Sequence, residues 1–208
     1  PGSGGKDSAF AAHVLKYKYG LNPLTVTWAP HLYTDIGWKN FESWIHIGGF
    51  DNILFTPNGK LHRYLTKNAF VNLLHPFQPF IIGQRIIGPL IAKKFNIPIV
   101  FYGENQAEYG NKISDNNKDV MDEKFFTTPD NVKELYIGGQ KIGNILKETD
   151  FTLEDFKPYV PLDHNFTKKN EIKVYYLGYY EKWDPQEVYY YASENTGFKP
   201  NPDRTEGT

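Results

Sequence analysis

Short apolar runs alternate with helix-length stretches over the first 110 residues, and this alternation limits the possible folds more than any other feature. Ile97–Gly103 (IPIVFYG) is the clearest predicted strand, because its apolar and β-branched residues lie between a proline and a glycine. Leu24–Trp28 and Asn52–Phe55 predict two more strands. Strands that alternate with helices favour a mostly parallel sheet with helices on both faces. We therefore expect an α/β fold, in a single domain over residues 1–208.

Helices are predicted between these strands and after them. Apolar residues at helical spacing indicate a helix over Lys6–Tyr19 that stops at Gly20. The next predicted helices are one capped by Asp35 and two over 60–74 and 82–95, the second of which contains Pro89. Short helices are predicted within 132–146, and a strand is predicted over Ile172–Tyr180. The last predicted helix has Asp184 as its cap, Pro185 at its first position and Gly197 as its stop.

Composition excludes several classes of function. The net charge is −1 and the pI is about 6.7, which gives no electrostatic argument for nucleic acid or an anionic membrane as partner. The chain has no cysteine, so disulfides and thiolate metal sites are excluded within it. No apolar run approaches the roughly 18 residues that a membrane-spanning helix needs. We expect no nucleic-acid partner and no membrane span. The lack of cysteine leaves the compartment undecided, and the phosphate-binding loop described next suits the cytoplasm.

The segment SGGKDS leads straight into the first predicted helix. A helix N-terminus has unpaired backbone N–H groups and a partial positive charge, so it attracts phosphate. Gly4 and Gly5 let the backbone approach such a ligand closely. Ser3 and Ser8 add hydroxyl donors, and Lys6 adds a full positive charge. The segment therefore predicts a phosphate-binding loop; the alternative is an ordinary capped turn.

Asp7 has two possible roles in this loop. Its carboxylate can cap the first turn of the helix, or it can hold Mg²⁺ against bound phosphates. The loop matches neither the Walker A pattern G-x-x-x-x-G-K-[ST] nor the dinucleotide fingerprint G-x-G-x-x-G. The loop therefore belongs to neither of these two classes of phosphate-binding motif.

SGGKDS resembles the SGGxDS pyrophosphate-binding loop of the ATP pyrophosphatase superfamily, also called the PP-loop superfamily and adenine nucleotide alpha hydrolase-like in fold. The resemblance implies cleavage of ATP between its α- and β-phosphates, with Mg²⁺, and transfer of AMP to a carbonyl oxygen. In that superfamily the loop follows the first strand of the sheet, whereas only Pro1 and Gly2 precede it here. The resemblance thus implies that this chain lacks that strand and is an internal piece of a longer protein.

Further motifs resemble the N-acetyl sugar amidotransferases of surface-polysaccharide, lipopolysaccharide O-antigen and flagellin-glycan biosynthesis. They lie at Pro76–Gln84, Ile97–Gly110 and Tyr175–Thr208. The resemblance implies that an acetamido group on a nucleotide-linked sugar is adenylated and that ammonia replaces the AMP, giving an acetamidino group. It also implies a glutaminase partner that supplies ammonia and a cyclase-like barrel subunit. The cysteine cluster that such proteins carry ahead of the loop is absent here, so we assign no ligands to that metal site, and Asp7 stays a candidate ligand of Mg²⁺.

Candidate catalytic residues follow the strongest predicted strand, because ligands of open α/β sheets lie beyond the carboxyl ends of strands. Glu104 or Glu108 can bind Mg²⁺ or accept a proton from attacking ammonium, and Asn105 can hold the substrate amide. Gly103 is a candidate contact of the nucleotide, and Tyr109 of the sugar. The alternative is that these are solvated loop residues without a special role.

The remaining candidates are weaker. Trp28 either lines the adenine pocket or belongs to the core. Gln84 and Arg85 can contact phosphate or sugar, and the polar tail resembles a family motif that closes over the substrate through Arg204, Glu206 and Thr208. Two other functions stay open: an RNA-modifying enzyme of the same superfamily, acting on tRNA, and a module that binds ATP without catalysis.

Overall fold

Helices and short strands alternate in the computed structural model, which describes residues 1–103, 119–123, 126–128, 131–163 and 172–202. The chain divides into two compact units. The first contains Pro1–Leu54, Ile99–Met121 and Lys173–Thr208, and the second contains Phe55–Pro98 and Asp122–Ile172. In the described part of the chain, no helix combines the length and the apolar character needed to cross a membrane.

Eight α-helices are present in the described residues: α1 Lys6–His13, α2 Asp35–His46, α3 Gly59–Leu73, α4 Gln78–Phe95, α5 Ile142–Glu148, α6 Leu153–Phe156, α7 Leu177–Tyr180 and α8 Pro185–Asn195. A π-helical segment, Val14–Lys18, continues α1, and 3₁₀ turns cover Val132–Glu134 and Lys157–Tyr159.

The strands are β1 Thr25–Trp28, β2 Asn52–Phe55, β3 Ile99–Tyr102, β4 Thr127–Thr128, β5 Tyr136–Ile137, β6 Gln140–Lys141, β7 Leu162–Asp163 and β8 Lys173–Tyr176. They pair as β1 with β2, β3 with β8, β4 with β7 and β5 with β6. The β3–β8 and β4–β7 pairs are parallel, and β5–β6 is antiparallel. The expectation of a mixed α/β fold with mostly parallel strands is confirmed. One continuous sheet over a single domain stays a prediction.

Two sequence predictions are wrong in part. The strand expected over Ile172–Tyr180 ends at Tyr176, and the chain then turns into α7, where Leu177 is buried. Residues 132–146 were expected to be helical, but a β-hairpin occupies their middle. Gly138 and Gly139 both have positive φ, the backbone that a two-residue hairpin turn requires.

Helix caps follow side-chain chemistry. Asp184 caps α8 by accepting hydrogen bonds from the backbone N–H groups of Gln186 and Glu187, as predicted. The predicted cap Asp35 is instead the first residue of α2. Thr34 is the cap, and its hydroxyl accepts from the Gly37 N–H at 3.0 Å.

Helix α1 lies in the core of the first unit. One side contributes small residues, Ala9 and Ala12, to a buried cluster with Phe41, Trp44, Phe50, Ala192 and Phe198. Another side packs against Leu177 through Ala11, Val14 and Leu15. Small side chains on α1 let the large aromatic groups of neighbouring elements pack close to its axis. The N-terminus of α1 is therefore held by contacts on more than one side.

The second unit is built on the helix pair α3 and α4. The inner face of α3 is completely buried at Leu61, Leu65 and Ala69. Asn58 caps this helix through hydrogen bonds from the N–H groups of Lys60 and Leu61. Helix α4 continues through Pro89, which is buried.

Candidate functional site

The opening loop is attached to the first unit by a backbone contact and by close packing. The N–H of Gly2 donates to the Val26 carbonyl of β1 at 2.8 Å. Gly4 is buried and has φ +84°, and a Cβ atom there would lie 2.7 Å from Phe41 Cα and 2.8 Å from the Asn40 carbonyl oxygen. Both the positive φ and the contact with α2 exclude other side chains. The fold alone therefore explains why residue 4 is glycine.

Ser8 organises the loop from inside. Its Oγ atom accepts hydrogen bonds from the N–H groups of Ser3, at 3.3 Å, and Gly4, at 3.1 Å. The same hydroxyl donates to the Gly5 carbonyl at 3.1 Å. The proton of Ser8 is therefore directed into the loop, and the role that this geometry favours for Ser8 is to hold the loop in shape.

The N-terminus of α1 faces outwards. Gly5 is the N-cap residue, and no side chain among the described residues caps the helix there. Ser3 and Gly5 are exposed. The first N–H groups of an α-helix have no acceptor within the helix, so those of α1 are oriented towards any ligand bound outside the loop.

The fold requires glycine at position 4 but not at position 5. Its φ of −67° is open to any residue, and a Cβ atom there would meet only Ser3 Oγ, at 4.0 Å. Neither backbone conformation nor packing requires glycine at this position. Glycine is a favoured N-cap residue, and the missing side chain also leaves room for a ligand to approach this backbone closely.

Lys6 and Asp7 are paired with each other at the start of α1. Lys6 Nζ lies 2.6 Å from Asp7 Oδ1, and the two side chains are 24% and 33% exposed. The pair places an ammonium donor and a hard oxygen ligand at the helix N-terminus. Among the described residues no group of three or more His, Asp or Glu side chains forms a metal site. A Mg²⁺ ion here would be held by Asp7 together with phosphate oxygens and water, as is common for this ion.

Gly103 brings the end of β3 to the same region. A Cβ atom at Gly103 would lie 2.8 Å from the Asp7 carbonyl oxygen and 2.9 Å from Ala11 Cβ. The first turn of α1 therefore rests directly on the carboxyl end of β3, and packing explains this glycine. Trp28 ends β1 and is only 2% exposed, which favours the core alternative for this residue.

Asn40 is a residue whose role sequence reasoning missed. Its carbonyl touches Gly4, and its side chain binds the backbone of Lys199 twice: Nδ2 donates to the Lys199 carbonyl at 2.8 Å, and Oδ1 accepts from the Lys199 N–H at 2.9 Å. The chain that leads to the polar tail is thus fixed beside the loop. A lone asparagine in the middle of a helix gives no sequence signal for a contact 159 residues away.

A second missed contact lies further along α1. His13 Nδ1 is 2.8 Å from the hydroxyl oxygen of Tyr191 on α8. Burial lowers the pKa of His13, because the charged imidazolium loses hydration there. Burial also raises the pKa of the Tyr191 phenol. Both groups are therefore neutral at pH 7, and the contact joins two helices of the first unit.

The other predicted site residues are not brought to the loop by any described contact. Gln84 is exposed and Arg85 is half-buried, both on α4 of the second unit. Seven candidates lie outside the described residues: Glu104, Asn105, Glu108, Tyr109, Arg204, Glu206 and Thr208.

Comparison with known proteins adds no family to these observations. No family model matches this chain. No curated protein matches its sequence either.

Proposed function

We propose that the loop from Ser3 to Ser8 binds the phosphates of ATP. The observation that carries this proposal is Gly5, which is exposed at the uncapped N-terminus of α1 although nothing in the fold requires glycine there. An anion bound against this backbone would accept hydrogen bonds from the N–H groups of the first turn, and the partial positive charge of the helix N-terminus would stabilise it. The similarity of SGGKDS to PP-loops identifies ATP as the anion.

Lys6 and Asp7 exchange partners when the nucleotide binds. In the described structure they neutralise each other at 2.6 Å. Phosphate oxygens would attract the Lys6 ammonium, and Asp7 would then be free to hold Mg²⁺, an ion that would supply positive charge beside the pyrophosphate. Each of the two side chains therefore has an oppositely charged partner both before and after the nucleotide binds.

We propose that this site carries out the reaction of the N-acetyl sugar amidotransferases. The fold proposed for the chain is of the PP-loop type. The acetamido oxygen of a nucleotide-linked sugar attacks the α-phosphorus of ATP, and pyrophosphate leaves. Ammonia then adds to the activated carbon, AMP leaves, and loss of a proton gives the acetamidino group. Lys6 and the loop N–H groups stabilise the charge that develops on pyrophosphate. This step of the proposal rests on the motifs that resemble the family.

Substrate contacts are proposed from the residues that follow β3 and from the polar tail. Glu104 or Glu108 would accept the proton from ammonium, and Asn105 would orient the acetamido group. The contact of Asn40 with Lys199 supports a role for the tail, because Arg204 follows Lys199 by five residues, which span at most about 17 Å. A glutaminase and a barrel subunit would deliver the ammonia, in the cytoplasm.

The test is an assay of the full-length protein with Mg-ATP, ammonium chloride and a nucleotide-linked acetamido sugar. AMP and pyrophosphate that form only when the sugar is present support the proposal. Release of ADP contradicts it. AMP formation that requires tRNA favours the RNA-modifying alternative, and tight ATP binding without turnover favours a non-catalytic ATP-binding module.

A matched pair of variants locates the site. Lys6→Ala removes the ammonium of the loop, whereas Lys182→Ala removes one that is 81% exposed elsewhere in the first unit. The proposal requires that AMP formation falls only in the first variant. Equal activities in both variants would show that the loop is not the nucleotide site.

A further inference from the structure

The chain carries a long stretch without acidic residues that its near-zero net charge conceals. Between Asp51 and Glu104 there is no Asp or Glu, whereas this stretch contains the basic residues Lys60, Arg63, Lys67, Arg85, Lys93 and Lys94. The stretch includes the whole of α3 and α4. These helices therefore present positive charge that acidic residues on the same helices do not offset.

An apolar surface lies where α3 passes into α4. Five large side chains there are exposed, and we call them the α3–α4 tip: Phe70, Val71, Leu73, Leu74 and Phe77. Leu74 is 84% exposed. A cluster of exposed phenylalanine, valine and leucine side chains is uncommon on the surfaces of soluble proteins and marks sites of interaction with an apolar partner, although Asn72 and His75 lie among these residues.

The inner side of the same corner is polar. Asn68 Nδ2 donates to Gln140 Oε1 at 3.0 Å, and Asn72 Nδ2 donates to the Gly138 carbonyl at 2.9 Å. The Gly138 N–H in turn donates to Gln78 Oε1 at 2.9 Å. Amide side chains thus attach the corner to the β5–β6 hairpin, while the apolar side chains point away from it. This is the reverse of the pattern that core burial produces.

Leu74 also has a backbone conformation that suits another residue. It is the C-cap of α3 with φ +53°, and Asn96 occupies the same left-handed conformation at the C-cap of α4 with φ +55°. Asparagine tolerates this conformation and leucine does not. Leu74 is exposed, so packing among the described residues compensates little for this conformation. An interaction outside the chain accounts for leucine at this position.

Basic residues lie along α3 behind the tip. Lys67 is exposed and precedes Phe70 by three residues and Leu74 by seven, which corresponds to about 5 Å and about 10 Å along the helix axis. Arg63, also exposed, lies one turn further back. The acidic Glu134, in the 3₁₀ turn before the β5–β6 hairpin, is paired with Lys141 of β6 at 2.6 Å. With the axis of α3 along the membrane normal, the apolar side chains would lie about 5–10 Å deeper than Lys67, which matches the boundary between acyl chains and headgroups.

We propose that the α3–α4 tip inserts into the surface of a membrane that contains anionic phospholipids, with Lys67 and Arg63 at the headgroup phosphates. The five side chains of the α3–α4 tip are apolar and read no base edge, whereas the exposed His75 between Leu74 and Phe77 can do so, and the test below therefore includes RNA as an outcome. The proposed contact is with the membrane surface only and does not span the bilayer. It adds a location to the proposed function and does not depend on it.

The test measures partition of the full-length protein into vesicles of phosphatidylcholine with about 30% phosphatidylglycerol, and into phosphatidylcholine alone. We expect binding to the anionic vesicles that weakens as salt rises. Leu74→Asn combined with Phe70→Ser should lower the partition coefficient more than 10-fold, whereas Leu32→Asn, at a site that is 88% exposed elsewhere, should change it less than 2-fold. Lys67→Gln should lower it about 5-fold and Lys94→Gln should not.

A loss of binding in a tip variant could also come from misfolding, so a second experiment measures how deeply the tip enters the membrane. Tryptophan introduced by Leu74→Trp should be quenched by lipids brominated on their acyl chains, and tryptophan introduced by Leu32→Trp should not. Absence of binding to anionic vesicles would overturn the proposal. So would equal losses in the tip and Leu32 variants, or a tip that is instead buried in a dimer or bound to RNA in the same preparations.

Discussion

Lys6 Nζ and Asp7 Oδ1 lie 2.6 Å apart at the N-terminus of α1, so each of the two charged groups of the loop is the other's partner. Adjacent residues on a helix point in different directions, and a pair formed between them has little geometric support from the helix itself. A ligand that offers phosphate oxygens to the lysine and a divalent ion to the aspartate replaces this contact with two charge-assisted ones.

The first prediction concerns this pair. Lys6→Ala should weaken binding of Mg-ATP about 10- to 100-fold, because a charge-assisted hydrogen bond of about 1.5–3 kcal/mol is lost. Isothermal titration calorimetry of the full-length protein measures the affinity. Asp7→Asn should leave binding of metal-free ATP within about 3-fold and should remove the gain in affinity that Mg²⁺ provides. Unchanged affinity in both variants would contradict the exchange of partners.

The second prediction separates the two neighbouring glycines. Gly4→Ala should lower the free energy of unfolding by about 2 kcal/mol or more, because a Cβ atom would meet Phe41 Cα at 2.7 Å at a positive φ. Gly5→Ala should lower the free energy of unfolding by about 1 kcal/mol or less, because alanine is a poorer N-cap residue than glycine, and it should weaken ATP binding at least about 10-fold. Urea denaturation and calorimetry on the same preparations check both values. A Gly5→Ala protein that binds ATP normally would remove the main support for the loop as nucleotide site.

The third prediction concerns pH. Burial lowers the pKa of His13 in the folded protein, so below its ordinary value of about 6.5 the unfolded chain binds more protons than the folded one. The stability contributed by neutral His13 is present above that value and is lost as the pH falls from it towards the folded pKa. His13→Gln should make the urea midpoint less dependent on pH between about pH 7.5 and about pH 5. A steeper dependence in the variant would contradict the assignment.

The fourth prediction tests the connection between the loop and the tail. Asn40→Ala removes both hydrogen bonds to the Lys199 backbone, so the Lys199 amide should exchange its hydrogen at least about 10-fold faster. If the tail contacts the sugar, KM for the sugar nucleotide should rise more than KM for ATP. Asn195→Ala is a matched control, because Asn195 Nδ2 binds only the Tyr191 carbonyl within its own helix. An equal change of both KM values would indicate general damage to the first unit.

The sequence predicted the elements whose determinants are local. Strand Asn52–Phe55 has the predicted bounds, and the Asp184 cap followed by Pro185 is confirmed, because caps and β-branched runs act over a few residues. The Gly138-Gly139 turn was missed, since two glycines in a helical pattern can also be a flexible helix. Contacts between distant positions, such as Asn40 with Lys199 and His13 with Tyr191, leave no periodic signal. Net charge, averaged over the chain, hid the basic stretch around α3.

The fifth prediction concerns Leu74 and Asn96, which occupy the same left-handed C-cap conformation at the ends of α3 and α4. The left-handed conformation costs about 1 kcal/mol of folding free energy for leucine and less for asparagine. Leu74→Asn should therefore raise the free energy of unfolding by up to about 1 kcal/mol, since the exposed side chain gives up little packing. Asn96→Leu should lower it by a similar amount. Urea denaturation checks both. If Leu74→Asn instead destabilised the protein, Leu74 would be packed within the fold, and the explanation of its exposure by an external partner would fail.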